Sequence, residues 1–400
     1  MNADNIMSAR ADEMQPPTPP TARELFRSFL RLGVTAFGGP AMIAYIRRMA
    51  VDRQRWLKAA EFDDGVALCQ MIPGATAMQT AAYVGLRVRG VAGAAVCFVG
   101  FGLPAFVLMM LLAALYAEAR TQPVVVAAFS GLGAVIVALV ANAALTFGKA
   151  ILKHWWHNVV AGLAAVAFAL GGSPFLVVIA AGLLGFLLHN SSPVAAAPAE
   201  LAHLPHTTKA VVMIAVVAVA VWLALWFTQR QSAELAALMA RIDLFAFGGG
   251  FASVPLMFHE VVEVRQWLDG RTLLDGIVLG QVTPGPIVIT ATFIGQRVAK
   301  LPGGVAATVG VFLPSFLMVV GLAPHFDRLR TSPMVNRFVN GVLCSFVGLL
   351  LTVTGRFAQN VAWDWPRAAL AVGAFVALRL NVDILWVVLV GTGLSVFLCL

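Results

Sequence analysis

Four apolar stretches of this sequence are each interrupted by a short run rich in glycine and proline, at 37–40, 73–76, 247–250 and 284–286. Glycine permits a sharp bend, and proline suits the first turn of a new helix because its missing N–H costs nothing there. A helix that restarts after such a break presents backbone N–H groups and about half a positive charge at its N-terminus. That combination can bind an anion.

We therefore predict a substrate site built from broken helices. The alternative is that the glycines serve only as hinges or as close contacts between helices. The predicted substrate-binding residues are Phe37, Gly38, Gly39, Pro40, Pro73, Gly74, Thr76, Phe247, Gly248, Gly249, Gly250, Pro284, Gly285 and Pro286, together with the glutamines Gln70 and Gln281. The glutamines could donate to a substrate oxygen or bond between helices, and the sequence leaves both readings open.

Charged residues at the edges of these segments are candidates for coupling or steering. Asp64 and Asp275 each precede a glycine and could carry a coupling proton, or could be acids that a helix N-terminus favours. Arg87 and Arg297 follow the Pro-Gly breaks and could attract an anion, or could mark the membrane interface.

The same motifs occur twice, at an offset of 210 or 211 positions. Phe37-Gly38-Gly39 matches Phe247-Gly248-Gly249, and Gln70 with Pro73-Gly74 matches Gln281 with Pro284-Gly285. An ordered series of matches indicates two homologous halves. We predict a tail over 1–21 that is disordered, repeats over 22–190 and 230–400, and a linker over 191–229 that contains one unpaired transmembrane helix at 209–228.

The amino-acid composition indicates whether these helices lie in water or in a membrane. Hydrophobic residues make up 60% of the chain and charged residues 12%, about half of what a soluble domain carries. The run 124–147 and the run 210–228 contain no charge and are long enough to cross a bilayer. We therefore predict an all-α polytopic membrane protein with a lipid bilayer as partner, and we exclude a nucleic-acid binder.

The sequence contains no catalytic or metal-binding motif of a known type. HExxH, GxSxG, CxxC and the Walker pattern are all missing, so we expect no enzyme activity, no metal and no cofactor. Duplicated halves in an apolar chain are typical of secondary transporters. The distribution of Lys and Arg favours re-entrant hairpins and an N-terminus on the cytoplasmic side, but leaves parallel and inverted halves open. The apolar pattern also predicts coarse helical segments over 242–258 and 272–299, which the breaks at 247–250 and 284–286 interrupt.

The motif set resembles the long-chain chromate ion transporter (CHR) family over about 25–400. The resemblance rests on Phe37–Pro40 and Pro73-Gly74 in the first half and on 247–250 and 284–286 in the second. It implies an exporter of chromate in a bacterial inner membrane, with two halves in antiparallel orientation, chromate resistance as the result, and sulfate as a competitor. An importer of sulfate or of another oxyanion is the alternative, and a homodimer is left open.

Overall fold

The computed structural model describes residues 20–37, 41–119, 122–188 and 207–399. All regular structure in these residues is helical. The predicted disordered tail lies almost entirely outside the described residues, as do Gly38, Gly39, Pro40 and the linker residues 191–206.

The described residues of the first half form seven helices, and an eighth joins them to the second half. The helix α2 continues as a π-helical turn over Arg48–Arg53. The bounds are α1 Ala22–Thr35, α2 Ala41–Arg47, α3 Ala59–Met71, α4 Thr76–Ala119, α5 Pro123–Ile151, α6 Trp155–Ala169, α7 Pro174–Leu188 and the joining helix α8 Thr208–Thr228.

The second half repeats this order. The helical segment predicted over 242–258 is divided at its glycine motif, because one helix ends at Phe245 and a new helix begins at Gly250. The bounds are α9 Arg230–Phe245, α10 Gly250–Phe258 with a π-helical turn His259–Val264, α11 Gly270–Val282, a 3-10 turn Ile287–Ile289, α12 Thr290–Leu322, α13 Phe326–Thr331, α14 Pro333–Gln359, α15 Trp365–Arg379 and α16 Ile384–Cys399.

The long helices α4 and α12 are each interrupted by a reversal of the chain. In α4 the backbone leaves helical geometry at Arg89 and Gly90, where Gly90 has a φ of 63°. A Cβ placed on Gly85 would lie 2.2 Å from the carbonyl oxygen of Gly93, so the two arms touch through their backbones. Only residues without a side chain allow helices to approach this closely. The pair Gly295 and Gly303 repeats this contact in α12.

The two halves exchange their C-terminal helices. The helix α5 of the first half packs against α15 and α16 of the second, while α14 of the second half packs against α6 and α7 of the first. Glycine permits both crossings: a Cβ on Gly131 would lie 2.2 Å from Ser395 Oγ, and one on Gly341 would lie 2.2 Å from the Ala181 carbonyl oxygen. The halves therefore form one interlocked body, in which neither half buries its apolar surface alone.

Five described segments are long and apolar enough to cross a membrane: Thr76–Tyr116, Pro123–Ile151, Thr208–Thr228, Ile287–His325 and Pro333–Gln359. Two lie in each half and one lies between the halves. If α6 and α7, of 15 residues each, return to the side from which they start, each half crosses an even number of times. A single crossing by α8 would then invert the second half, and the inverted orientation stays a prediction.

Candidate functional site

Residues that follow each of the four breaks line a single cavity of about 390 Å³. Each of them belongs to the start of a helix or of a helical turn. The residues from these helix starts that line the cavity are Met42 and Ile43 of α2, Thr76 and Ala77 of α4, Gly250 and Phe251 of α10, and Ile287 of the 3-10 turn. The first turn of a helix has N–H groups without intrahelical partners, so four positive helix ends face one space.

A reciprocal pair of hydrogen bonds ties the breaks of one half to those of the other. The Gly74 amide donates to the Ala246 carbonyl at 3.0 Å, and the Gly285 amide donates to the Ala36 carbonyl at 3.0 Å. The two glycines share an unusual backbone, with φ of 116° and 113°. Their amides are thus engaged in joining the halves, and we name this pair of bonds the amide cross-link.

The glycines that follow Phe247 bring the backbone itself into the cavity wall. Gly248 and Gly249 have φ of 89° and 91°, a conformation that residues with a side chain rarely adopt. A Cβ on Gly249 would lie 3.2 Å from Thr76 Oγ1, so these two residues from opposite halves are close neighbours. Thr76 is the first residue of α4 and presents a hydroxyl beside the glycine backbone.

The predicted site residues divide into two groups. Gln70, Thr76, Gly248, Gly249, Gly250 and Pro286 line the cavity. Phe37, Pro73, Gly74, Phe247, Gln281, Pro284 and Gly285 do not contribute to its described lining. The structure gives no position for Gly38, Gly39 and Pro40, which lie outside the described residues. That the first group binds substrate stays a prediction.

The matched glutamines lie in different surroundings. Gln70 is exposed and lines the cavity, whereas Gln281 is buried, and its Nε2 has no hydrogen-bond partner among the described residues. The difference follows from their helices. The helix α11 packs against α5 and α16, whereas the matched α3 packs mainly on α4. Of the two glutamines, only Gln70 is therefore placed to reach a ligand in the cavity.

The predicted coupling carboxylates both have partners in the opposite half. Asp64 forms an ion pair with Arg330 at 3.1 Å, and both side chains are partly exposed. Asp275 is buried and accepts a hydrogen bond from Tyr116 Oη at 2.6 Å. The first contact joins α3 to the short helix α13, and the second joins α11 to the long helix α4, so each carboxylate has a structural role between the halves.

The predicted steering arginines lie outside the cavity lining. The Arg87 guanidinium is nearly buried and forms an ion pair with Glu61 at 2.5 Å. Arg297 lies over the Tyr116 ring, 5.8 Å from its centroid. The repeat explains the difference, because the position that matches Glu61 is occupied by Thr272.

A polar chain beside the cavity was not predicted. The Ala75 amide donates to Ser315 Oγ at 2.9 Å, and the Ser315 hydroxyl contacts both carboxylate oxygens of Asp243, at 2.9 and 2.8 Å. Asp243 is fully buried. The signal in the sequence was a single acid in the apolar stretch directly before the 247–250 break, and the first half has Gly33 at that position.

A second cavity, of about 490 Å³, lies at the other end of α5. It touches the first turns of α5, from Pro123 to Gly133, whereas the first cavity touches the last turns, from Phe147 to Ile151. The second cavity is lined in part by Arg271, Asp275 and Arg367. Within the described residues no group of three or more His, Cys, Asp or Glu side chains is placed to hold a metal ion.

Comparisons with known proteins match the whole length of the described fold. The sequence model of a family described as chromate transporter matches twice, over residues 23–186 and 233–396. A chromate transport protein of Pseudomonas aeruginosa is 32% identical over 376 residues, which cover 90% of this chain and 87% of that protein. The chromate transport protein of Cupriavidus metallidurans is 31% identical over 356 residues, covering 88% of this chain and 86% of its own length.

An archaeal relative extends the range of these matches. An uncharacterized transporter of Methanocaldococcus jannaschii is 38% identical over 383 residues, which cover 95% of each chain. No solved structure matches this chain.

Proposed function

The chain belongs to the chromate transporter family, and from that premise we propose that it carries chromate out of the cytoplasm and so gives chromate resistance. It is a multi-pass membrane protein, and we place it in the inner membrane of a bacterium with a cytoplasmic N-terminus. We retain 22–190 and 230–400 as its two repeats and 191–229 as the linker.

The convergence of four helix N-termini on one cavity carries this proposal. Chromate is a tetrahedral dianion near neutral pH, and helix N-termini offer N–H donors and positive potential to an anion. Irregular backbone is tolerated in a membrane only where it is buried in protein or lines a cavity, as it does here. The volume of about 390 Å³ accommodates the anion with several waters, each of which occupies about 30 Å³ in the liquid.

The chemistry of the lining favours release as well as binding. The described residues of the cavity wall include no charged side chain, and the polar ones are Gln70 and Thr76. An oxyanion held by backbone dipoles and neutral side chains is bound less tightly than one clamped by arginine, so it can leave on the far side. The arginines Arg271 and Arg367 line the second cavity instead, together with Asp275, and Arg367 is paired with Asp364.

The membrane potential supplies a driving force for export. Moving one charge through 100 mV is worth about 2.3 kcal/mol, so a dianion gains about 4.6 kcal/mol on leaving a cell whose interior is negative. Export therefore needs no nucleotide, and a coupled proton is an additional driving force rather than a requirement. Import of the same anion must overcome the same free energy.

Transport of a second oxyanion is the competing reading. Backbone amides recognise charge and tetrahedral shape, which sulfate shares with chromate, so we expect sulfate to compete. If the protein imports sulfate instead, expression must raise the cell content of sulfate. A homodimer stays a prediction, and α8, which buries none of its residues within one chain, is the surface on which we would look for it.

Measurements in cells separate these alternatives. Cells that express the protein are compared with cells that carry an empty vector, and labelled chromate and labelled sulfate are measured in each. We expect lower chromate accumulation and no rise in sulfate accumulation on expression. Higher accumulation of either anion contradicts export.

The orientation of the halves has its own test. Single cysteines are placed at Lys58 and at Arg271 in a protein without its native cysteines, and a reagent that does not cross membranes is added to intact cells. Inverted halves predict that one position reacts from outside and the other only after the membrane is opened. Labelling of both positions from the same side contradicts the inversion.

A further inference from the structure

We propose that protonation of Asp243 controls oxyanion binding, an inference that rests on the proposed function. Asp243 lies in the last turn of α9, directly before the break at 246–249, and its side chain is fully buried. The hydrogen bonds to both of its carboxylate oxygens come from Ser315 Oγ. A buried carboxylate without a cation is costly, so this group must take up a proton or be compensated by a change in its surroundings.

The carboxylate is connected to the cavity through one hydroxyl. Ser315 Oγ accepts the Ala75 amide hydrogen and places its own hydrogen against Asp243. Ala75 directly precedes α4, and Thr76 and Ala77 at the start of α4 line the cavity. A charge on Asp243 is therefore only one side chain away from the helix end that faces the oxyanion.

The charge state of Asp243 changes what that helix end offers to an anion. The ionised carboxylate opposes the positive potential of the α4 N-terminus, and it repels an oxyanion in the cavity through an interior of low dielectric constant. Protonation removes this charge and leaves the amides in place. The protonated protein therefore binds the oxyanion more tightly, and by reciprocity the bound oxyanion favours uptake of a proton from water.

Other charged groups lie on α9 and on the elements around it. In α9, Arg241 pairs with Glu260 at 2.5 Å rather than with Asp243. In α12, which carries Ser315, the charges flank the chain reversal. The remaining charged or titratable groups on the elements around α9 are Arg230 and Glu234 of α9, Arg297 and Lys300 of α12, Lys209 of α8, His259 and Glu263 after α10, and Tyr83, Arg87, Arg89, Cys97, Tyr116 and Glu118 of α4.

The first half has no equivalent of this device. Gly33 occupies the place of Asp243, and Ala105 occupies the place of Ser315. A Cβ on Gly33 would lie 2.4 Å from the Phe101 carbonyl oxygen, so a carboxylate side chain does not fit there without moving α1 or α4. The repeat therefore provides one proton-sensitive group for each chain, on the α4 side of the cavity only.

The test measures binding of chromate to the purified full-length protein at mildly acidic and mildly alkaline pH. The wild type is compared with Asp243→Asn, which keeps the shape and a hydrogen-bond acceptor but has no charge. Chromate itself takes up a proton over this pH range, which changes the measured affinity. The change is the same for both proteins, so it cancels when they are compared at the same pH. We expect the variant to bind about tenfold more tightly than the wild type at alkaline pH, and the two to converge at acidic pH.

Two further variants separate charge from structure. Glu234→Gln removes an exposed carboxylate of the same helix and should behave as the wild type at both pH values. Ser315→Ala removes the connecting hydroxyl but keeps the buried carboxyl, so it should keep the pH dependence that Asp243→Asn loses. If Asp243→Asn does not fold, chromate added to the wild type in weak alkaline buffer should still cause measurable proton uptake.

The outcomes are distinct. If the ratio of the variant's chromate affinity to the wild type's is the same at both pH values, the role of Asp243 is overturned. The proposed function then stays intact. Binding by the wild type without proton uptake also overturns it. If the wild type binds no chromate at either pH, the proposed function fails, and this inference fails with it.

Discussion

The two halves share their motifs but differ at the two ends of the amide cross-link. Around Gly74, a Cβ would meet polar atoms of Ser315 and Asp243 from the second half, whereas around Gly285 a Cβ would meet Ala105 of the first half. The two repeats share their helix breaks, so the difference lies in the side chains that each repeat places around them. A transporter needs two access states of different free energy, and an asymmetric pair of halves provides a means to control them.

The largest expected effect is at Gly249, which lines the cavity beside Thr76 of the opposite half. Gly249→Leu should abolish chromate transport, because its φ of 91° disfavours a side chain and because leucine would fill the space beside Thr76. Transport into membrane vesicles measures this, with the amount of protein in the membrane measured in parallel. Gly373→Leu is the matched control, since nothing lies within 4 Å of a Cβ there. Full transport by Gly249→Leu would contradict the proposal that the helix breaks form the substrate site.

The next effect concerns stability at the position where the halves differ. Gly33→Ala should lower the thermal stability of the purified protein, since its Cβ would collide with the Phe101 carbonyl and force α1 away from α4. Overpacking of this kind costs about 1–3 kcal/mol. Gly162→Ala, at an open position of α6, should leave the melting temperature unchanged. Equal melting temperatures for Gly33→Ala and Gly162→Ala would contradict this, because they would show that α1 and α4 can move apart at no cost in stability.

A double variant separates the two reasons for glycine in the amide cross-link. Gly285→Ala should reduce stability and transport, because its φ is 113° and because its Cβ would lie 2.7 Å from Ala105 Cβ. Adding Ala105→Gly should restore the steric part, leaving a backbone cost of about 1–3 kcal/mol. Thermal unfolding of the single and double variants measures this recovery. A double variant no more stable than Gly285→Ala would show that backbone conformation accounts for the whole effect.

The smallest effect is expected at the ion pair between the halves. Asp64→Asn should change stability by no more than about 1 kcal/mol, since both partners are partly exposed and Arg330 can be hydrated when its partner is lost. The pH dependence of transport should keep the shape of the wild type, in contrast to Asp243→Asn. A flattened pH profile in Asp64→Asn would transfer the coupling role to Asp64.

The sequence predicted the helix breaks well because their causes are local. Glycine and proline act on the backbone within one or two residues, so helices restart at Gly250 and Thr76 where these motifs predict it. The helical region over 230–241 was missed, because its mixed apolar and charged residues do not resemble a membrane span. Apolar length alone could not separate a straight span from α4, whose chain reverses at Gly90.

The uses of individual residues were harder to predict, since they depend on contacts between distant parts of the chain. Gly74 and Gly285 were expected to bind substrate, yet their amides donate to Ala246 and Ala36. Gln70 and Gln281 match in sequence but differ in burial, because α11 is packed against α5 and α3 is not. Asp243 was overlooked because its importance depends on Ser315, which is distant in the sequence.

The sequence by itself determined that this chain lies in a membrane, that it consists of two copies of one unit, and where the helices break. These properties follow from apolar composition and local backbone preferences, which need no knowledge of neighbours. Only the tertiary structure decided that α5 and α14 pack on the helices of the opposite half, that four helix ends share one cavity, and that Asp243 lies beside it. Helices in lipid associate through close packing of small residues and polar contacts rather than through hydrophobicity, so which surfaces meet depends on shape in three dimensions.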